Sequence, residues 1–202
     1  SHPDIWLSAV CILCGYQLFW ATYSFSAHLQ QTYSLTAVTV GSITVAKLWM
    51  RPIGAISAGY AGDFFGCERM LAILMVLASC CMMTLALLPI ETGSSTLLSM
   101  VLVAGLATYA VRGLYWSTLH NCEIPHNLRG LAIGMISLIG YLPDMYLPLL
   151  SAKILEHYPG RSGYQLYFIL LSVCGIVGSL AALTLKRRRD LRLFTTQGSF
   201  TR

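Results

Sequence analysis

Lys47, Arg51 and Arg112 stand inside stretches of sequence that are otherwise apolar, and Asp144 stands inside another. These side chains handle ions. A guanidinium grips a carboxylate, phosphate or sulfonate through a planar fork, whereas an ammonium acts as a compact point charge. A charge near the bilayer centre costs roughly 2.5–3.5 kcal/mol even on the lenient insertion scale, so such residues line a bundle interior or a water-filled path. Tyr16, Gln17, Trp20 and Tyr23 fall at a similar depth on the first apolar stretch, and Trp116 follows Arg112 by one helical turn. The candidate substrate site is therefore Lys47, Arg51, Arg112, Asp144, Tyr16, Gln17 and Trp116. Three cations against one anion leave an excess of positive charge that a small anionic solute would neutralise. The competing reading is a structural network in which the four charges only neutralise one another between packed helices. Asp144 is either an ion-pair partner that substrate displaces or the seat of a coupling proton; a counter-anion is the alternative driving ion.

The elements that must position these residues follow from composition: 56% of the 202 residues are hydrophobic, 10% are charged, and the apolar residues come in long blocks. The blocks run through Ile5–His28, Leu35–Tyr60, Met70–Pro89, Leu97–Leu119, Leu131–Leu155 and Tyr164–Leu185. Each approaches or exceeds the ~20 residues that a helix needs to cross the hydrocarbon. A membrane β-barrel would alternate apolar and polar residues over ~10-residue segments, whereas Leu71–Leu88 is almost uniformly apolar. The expected fold is an all-α membrane protein with six transmembrane helices over residues 1–185 and a basic cytoplasmic tail over residues 186–202. Pro143 and Pro148, with Gly134 and Gly140, mark the fifth span as one built to bend around a cavity or to flex.

Lys and Arg accumulate at cytoplasmic span ends. Placing Lys186, Arg187, Arg188 and Arg189 inside also puts Arg69, Arg129, Arg192 and Arg202 inside, leaving Lys153 and Arg161 outside. The expectation is a multi-pass protein of the plasma (inner) membrane with both termini cytoplasmic. The net charge of +5 then reports topology and contact with membrane lipid. No basic groove interleaved with aromatics accompanies it, so nucleic acid is not an expected partner. Trp6, Tyr158, Tyr164 and Tyr167 read as interfacial anchors, and Lys153 with Glu156 as a solvated helical pair.

Other reactive residue types carry less. Cys11, Cys14, Cys80, Cys81 and Cys174 lie within spans, where a thiol packs as a small apolar group. His120, Cys122, Glu123 and His126 cluster after the fourth span, but Pro125 interrupts them and their spacing matches no zinc pattern. No metal or cofactor is implied. An enzyme would need a nucleophile and base, or a metal set, at one depth, and no such arrangement is visible, so the expected class is not enzymatic.

The connection after the second span is the most specific local pattern: Gly59, Gly62, Asp63, Gly66, then Arg69. Small residues let helices approach closely, Asp63 can cap a neighbouring helix N-terminus, and Gly66 permits a tight reversal. This run resembles the signature loop of the major facilitator superfamily, with Phe64 where that family usually has a basic residue. The stretches from Arg112 to Trp116 and from Gly140 to Asp144 are similar to the tenth and eleventh helices of its sugar-phosphate and organic-anion carriers. The resemblance implies one six-helix half, a 3+3 inverted repeat, with the N-terminal six-helix half of the same carrier as partner. It also implies that the third and sixth spans are peripheral supports, and those spans carry no charge here. The function so implied is secondary transport of a small organic anion, by symport or antiport, with the signature loop gating. A non-transporting membrane fragment or interaction module is the alternative.

Overall fold

A computed structural model describes residues 3–121 and 129–199. Helix α1 (Pro3–Ala21) passes through a 3₁₀ turn at Thr22–Ser24 into α2 (Phe25–Tyr33), which ends at Ser34 in the left-handed region (φ 53°). Thr36 then caps α3 (Ala37–Phe65), its hydroxyl accepting from the Thr39 amide at 3.3 Å. That bond satisfies one of the donors a helix start leaves free. Gly66 alone separates α3 from α4 (Cys67–Leu87). Helix α5 (Ser94–Leu114) tightens into a 3₁₀ segment at Tyr115–Asn121; α6 (Arg129–Gly140) and α7 (Pro143–His157) follow, separated by Tyr141 and Leu142; and α8 (Arg161–Ser199) completes the chain. No strand occurs among the described residues.

Five of these stretches are long and apolar enough to cross a membrane: Pro3–Tyr33, Cys67–Leu87, Ser94–Leu119, Gly130–His157 and Arg161–Arg192. They coincide with five of the six expected spans. The remaining one, α3, has ample length at 29 residues, but Lys47, Arg51 and a series of Ser, Thr and Gly residues dilute its apolar character. The expected tail is not a separate segment, because α8 continues as helix through Lys186–Arg192. Lys, Arg and Leu are good helix formers, and leaving the apolar phase does not by itself end a helix.

Helix α1 is central and packs against α8, α6, α5 and α7, while α4 lies along α8 and α3 along α5. Glycines set these contacts. On α3 the residues Gly54, Ala58 and Gly62 are spaced by four and buried. A Cβ on Gly54 would lie 2.8 Å from the Leu106 carbonyl oxygen, and one on Gly113 would lie 3.1 Å from the Ala55 Cα. A Cβ on Gly175 would meet the Ser79 hydroxyl, and one on Gly178 the Cys14 side chain at 2.6 Å, so these two serve close packing as expected. Association in lipid relies on such approach, because apolar burial between helices gains little there. The α6–α7 span stands apart: 22% of its apolar window is buried, against 50–67% for the other four. One broad face of that span is therefore left for lipid or another domain.

Candidate functional site

Tyr16, Phe19, Trp20 and Tyr23 recur at helical spacing along the end of α1 and its 3₁₀ turn, and so share a face. Tyr16, Phe19 and Tyr109 of α5 form a buried aromatic cluster against which Trp20, Met50 and Tyr141 pack. Arg112, one turn after Tyr109's neighbourhood on α5, lays its guanidinium over the Phe19 ring at 4.1 Å from the centroid and 5.7 Å from that of Tyr16. Both distances are within the range of a cation–π contact. Across the cluster, Asp144 sits in the first turn of α7, behind Pro143. Its carboxylate accepts from the Tyr16 hydroxyl at 2.9 and 3.2 Å and from the Trp20 indole N–H. Trp116 joins through Tyr141, whose ring stands edge-on to Tyr16 at 4.8 Å and lies 6.3 Å from Trp116.

The geometry divides the seven candidates. Tyr16, Arg112, Asp144 and Trp116 gather around one aromatic cage. Arg51 is exposed on α3, and it and Arg112 both lie within electrostatic range of Tyr109. Gln17 is buried on another side of α1, donating to the Tyr146 hydroxyl and so tying α1 to α7. Lys47 is 4% exposed: its stem covers Gly105, where a Cβ would be 2.8 Å from the Lys47 Cγ. Its ammonium donates to the Thr22 carbonyl at 2.8 Å, at the break between α1 and α2, and lies 5.5 Å from the Phe25 centroid. A spacing of four placed Lys47 and Arg51 on one face; burial separates them, because Gly105 opens a slot for the first and nothing covers the second.

The ion pairs among the described residues join Asp4 to Arg188 and Arg192, and Glu68 to Arg189. None involves Lys47, Arg51, Arg112 or Asp144. These four charges thus form no direct ion pair with one another among the described residues: neutral donors hold Asp144, an aromatic face holds Arg112, and a peptide oxygen holds Lys47, away from the cage. Two guanidiniums are left with hydrogen-bond donors for an anion.

The loop residues divide as well. Gly62 is buried, with room for no Cβ beside Leu114, and Gly66 takes φ 85° and ψ 130°, a reversal that suits glycine. Gly59 faces open space, and Arg69 is exposed. Asp63 does not cap α4. It lies in the last turn of α3, exposed, and α4 starts at Cys67 behind Gly66 without a side-chain cap. The acid that serves α4 is Glu68, in its first turn, 1% exposed and held by Arg189 at 3.1 and 3.2 Å. A carboxylate there also complements the helix dipole. Sequence reasoning missed Glu68, together with Phe19, Tyr109 and Tyr141; the spacing of Tyr16, Phe19, Trp20 and Tyr23 was the available signal for the cage. Cys122, Glu123 and His126 of the possible ligand cluster lie outside the described residues.

No family model and no solved structure matches the chain. Among curated proteins it is 24% identical over 196 residues to the inner membrane protein YihN of Escherichia coli (strain K12), covering 95% of this chain and 47% of YihN. It is 26% identical over 177 residues to the inner membrane protein YqcE of the same organism, covering 82% of this chain and 41% of YqcE. The chain thus spans about half the length of the curated relatives it matches. Apolar helices of spanning length and relatives in the inner membrane together make this an α-helical membrane protein.

Proposed function

We propose that the chain is one six-span half of a secondary carrier of the major facilitator type, with α3 as its second span, and that the carrier moves a small organic anion by alternating access. The observation that carries the reading is Arg112: its guanidinium lies over the Phe19 ring, with no carboxylate in ion-pair range among the described residues. A stacked guanidinium keeps its N–H edge for a planar bidentate acceptor. Arg51 adds a second, exposed cation within electrostatic range of the same Tyr109. Asp144 answers the solute from the opposite wall, either releasing Tyr16 and Trp20 as substrate arrives or taking up the coupling proton. An N-terminal half supplies the facing wall, in keeping with relatives about twice as long. The two halves rock about a site near the midplane, as repeat-built carriers do. The breaks at Thr22–Ser24 and Tyr141–Leu142 flank the cage, so the helices that line it are those able to bend.

The test is uptake by the complete carrier across phosphorylated, carboxylated and sulfonated metabolites. Replacing Arg112 with Gln should lower uptake of the transported anion by about tenfold to a hundredfold, the worth of lost charge-assisted hydrogen bonds, with membrane insertion unchanged. Uptake equal to that of the unaltered carrier would remove Arg112 from the site.

A further inference from the structure

Between the start of α1 and the basic part of α8 a cleft of about 610 Å³ opens, lined by Pro3, Asp4, Thr184, Arg187, Arg188, Leu191 and Arg192. The α8 residues recur at i, i+3, i+4, i+7 and i+8, so one helix face supplies them all. Arg189, on another face, is turned to Glu68 on α4. Three guanidiniums against one carboxylate leave the cleft with two surplus positive charges. Asp190, the one acid of the run, is outside the lining. Arg192 grips Asp4 through Oδ2, whereas Arg188 stays 3.9 Å from Oδ1 and Arg187 makes no ion pair among the described residues. Asp4 Oδ1 is buried and accepts no hydrogen bond. The cleft therefore offers cationic donors for an anion and, beside them, one acceptor in want of a hydroxyl.

The position decides the occupant. These residues lie where the apolar stretch of α8 gives way to Lys and Arg, the part of a spanning helix that basic residues hold at the headgroups, and Thr184 and Leu191 give the cleft its less polar walls. Basic pockets between helices at a membrane surface suit phospholipid headgroups. We propose that this cleft binds a phosphatidylglycerol headgroup, its phosphate on Arg187 and Arg188 and a glycerol hydroxyl donating to Asp4 Oδ1. The bound lipid would clamp the beginning of the central helix to the end of α8.

The test is native mass spectrometry of the full chain, released from detergent in the presence of phosphatidylglycerol or phosphatidylcholine. Phosphatidylglycerol should be retained preferentially, and Arg187→Gln should lower its retention by about fivefold, the effect of one basic residue at an anionic membrane surface. Arg187 is exposed and outside the ion pairs, so its replacement leaves the helix contacts in place; an unchanged melting temperature in phosphatidylcholine checks this. Should that variant unfold, Arg188→Gln serves as the second, with the same expected loss. Equal retention of the two lipids, no loss in the variant, or displacement by inorganic phosphate at millimolar concentration would each overturn the proposal.

Discussion

Lys47 is buried with a peptide carbonyl as the partner of its charge, and that choice has an energetic signature. Removing an ion from water and leaving it without a counter-charge costs several kcal/mol, more than one hydrogen bond to a neutral oxygen returns. A side chain kept for the fold alone would favour an apolar replacement of similar length. Lys47→Met retains the stem over Gly105 and removes the ammonium, so its melting temperature should equal or exceed that of the unaltered protein; on the proposed reading, removal of its positive charge should also lower anion uptake by the complete carrier. A lower melting temperature with uptake retained would make Lys47 a structural clamp on the α1–α2 break. Charge in an apolar stretch was visible in the sequence for Lys47, Arg51, Arg112 and Asp144, because each stands out against its neighbours. Their partners were not. The Thr22 carbonyl, the Phe19 face and the Trp20 indole become partners only when separate helices meet, and a pair such as Glu68 and Arg189, 121 positions apart, leaves no local trace.

Among the helices, the contact between α3 and α5 depends on the absence of side chains. Gly54 has no room for a Cβ between the Leu106 carbonyl and the Ala110 amide, both of them backbone atoms that cannot swing aside. Gly54→Val should therefore destabilise the bundle by about 1–3 kcal/mol, the usual cost of overpacking, read as a lower thermal midpoint in detergent. Gly134→Val, at a position with nothing within 4 Å of an added Cβ, should leave the midpoint unchanged. Equal effects at the two sites would mean that the helices can separate freely. Apolar blocks marked the helices within a few residues: Met70–Pro89 was expected and α4 covers Cys67–Leu87. The bend at Tyr141–Leu142 was legible from Gly140 and Pro143. The 3₁₀ turn at Thr22–Ser24 was not, since no glycine or proline announces it; there the Thr22 hydroxyl donates to the Phe19 carbonyl and the Thr22 carbonyl accepts from Lys47.

Across the whole molecule, charge and apolarity are sorted end to end. Arg187, Arg188, Arg189 and Arg192 lie at one end of α8, and Arg161 lies at the other, donating to the Leu88 carbonyl at 2.7 Å. The positive-inside rule predicts that the Lys186–Arg192 end faces the cytoplasm. A fluorescent protein fused after Arg202 should fluoresce, and alkaline phosphatase fused there should be inactive; the opposite pair of results would invert the topology. Membrane character and five of the six expected apolar stretches were open to inspection of the sequence. The status of α3 was not settled by hydropathy, because the same polar residues that qualify a helix to line a path also remove it from the set of evidently apolar spans.

Gly66 ends α3 and begins α4 with no residue between, in a backbone state that glycine tolerates and other residues resist. An elbow of one residue has no slack. On the proposed reading, α3 and α4 swing together as a single lever, and because α4 is seated along α8, that lever draws α8 with it. Bending is then left to Pro52 within α3, to the 3₁₀ segments Thr22–Ser24 and Tyr115–Asn121 and to the turn at Tyr141–Leu142. Two of these lie in the spans that carry Tyr16 and Asp144, so the hydrogen bond between those residues is one contact that a change of state would strain.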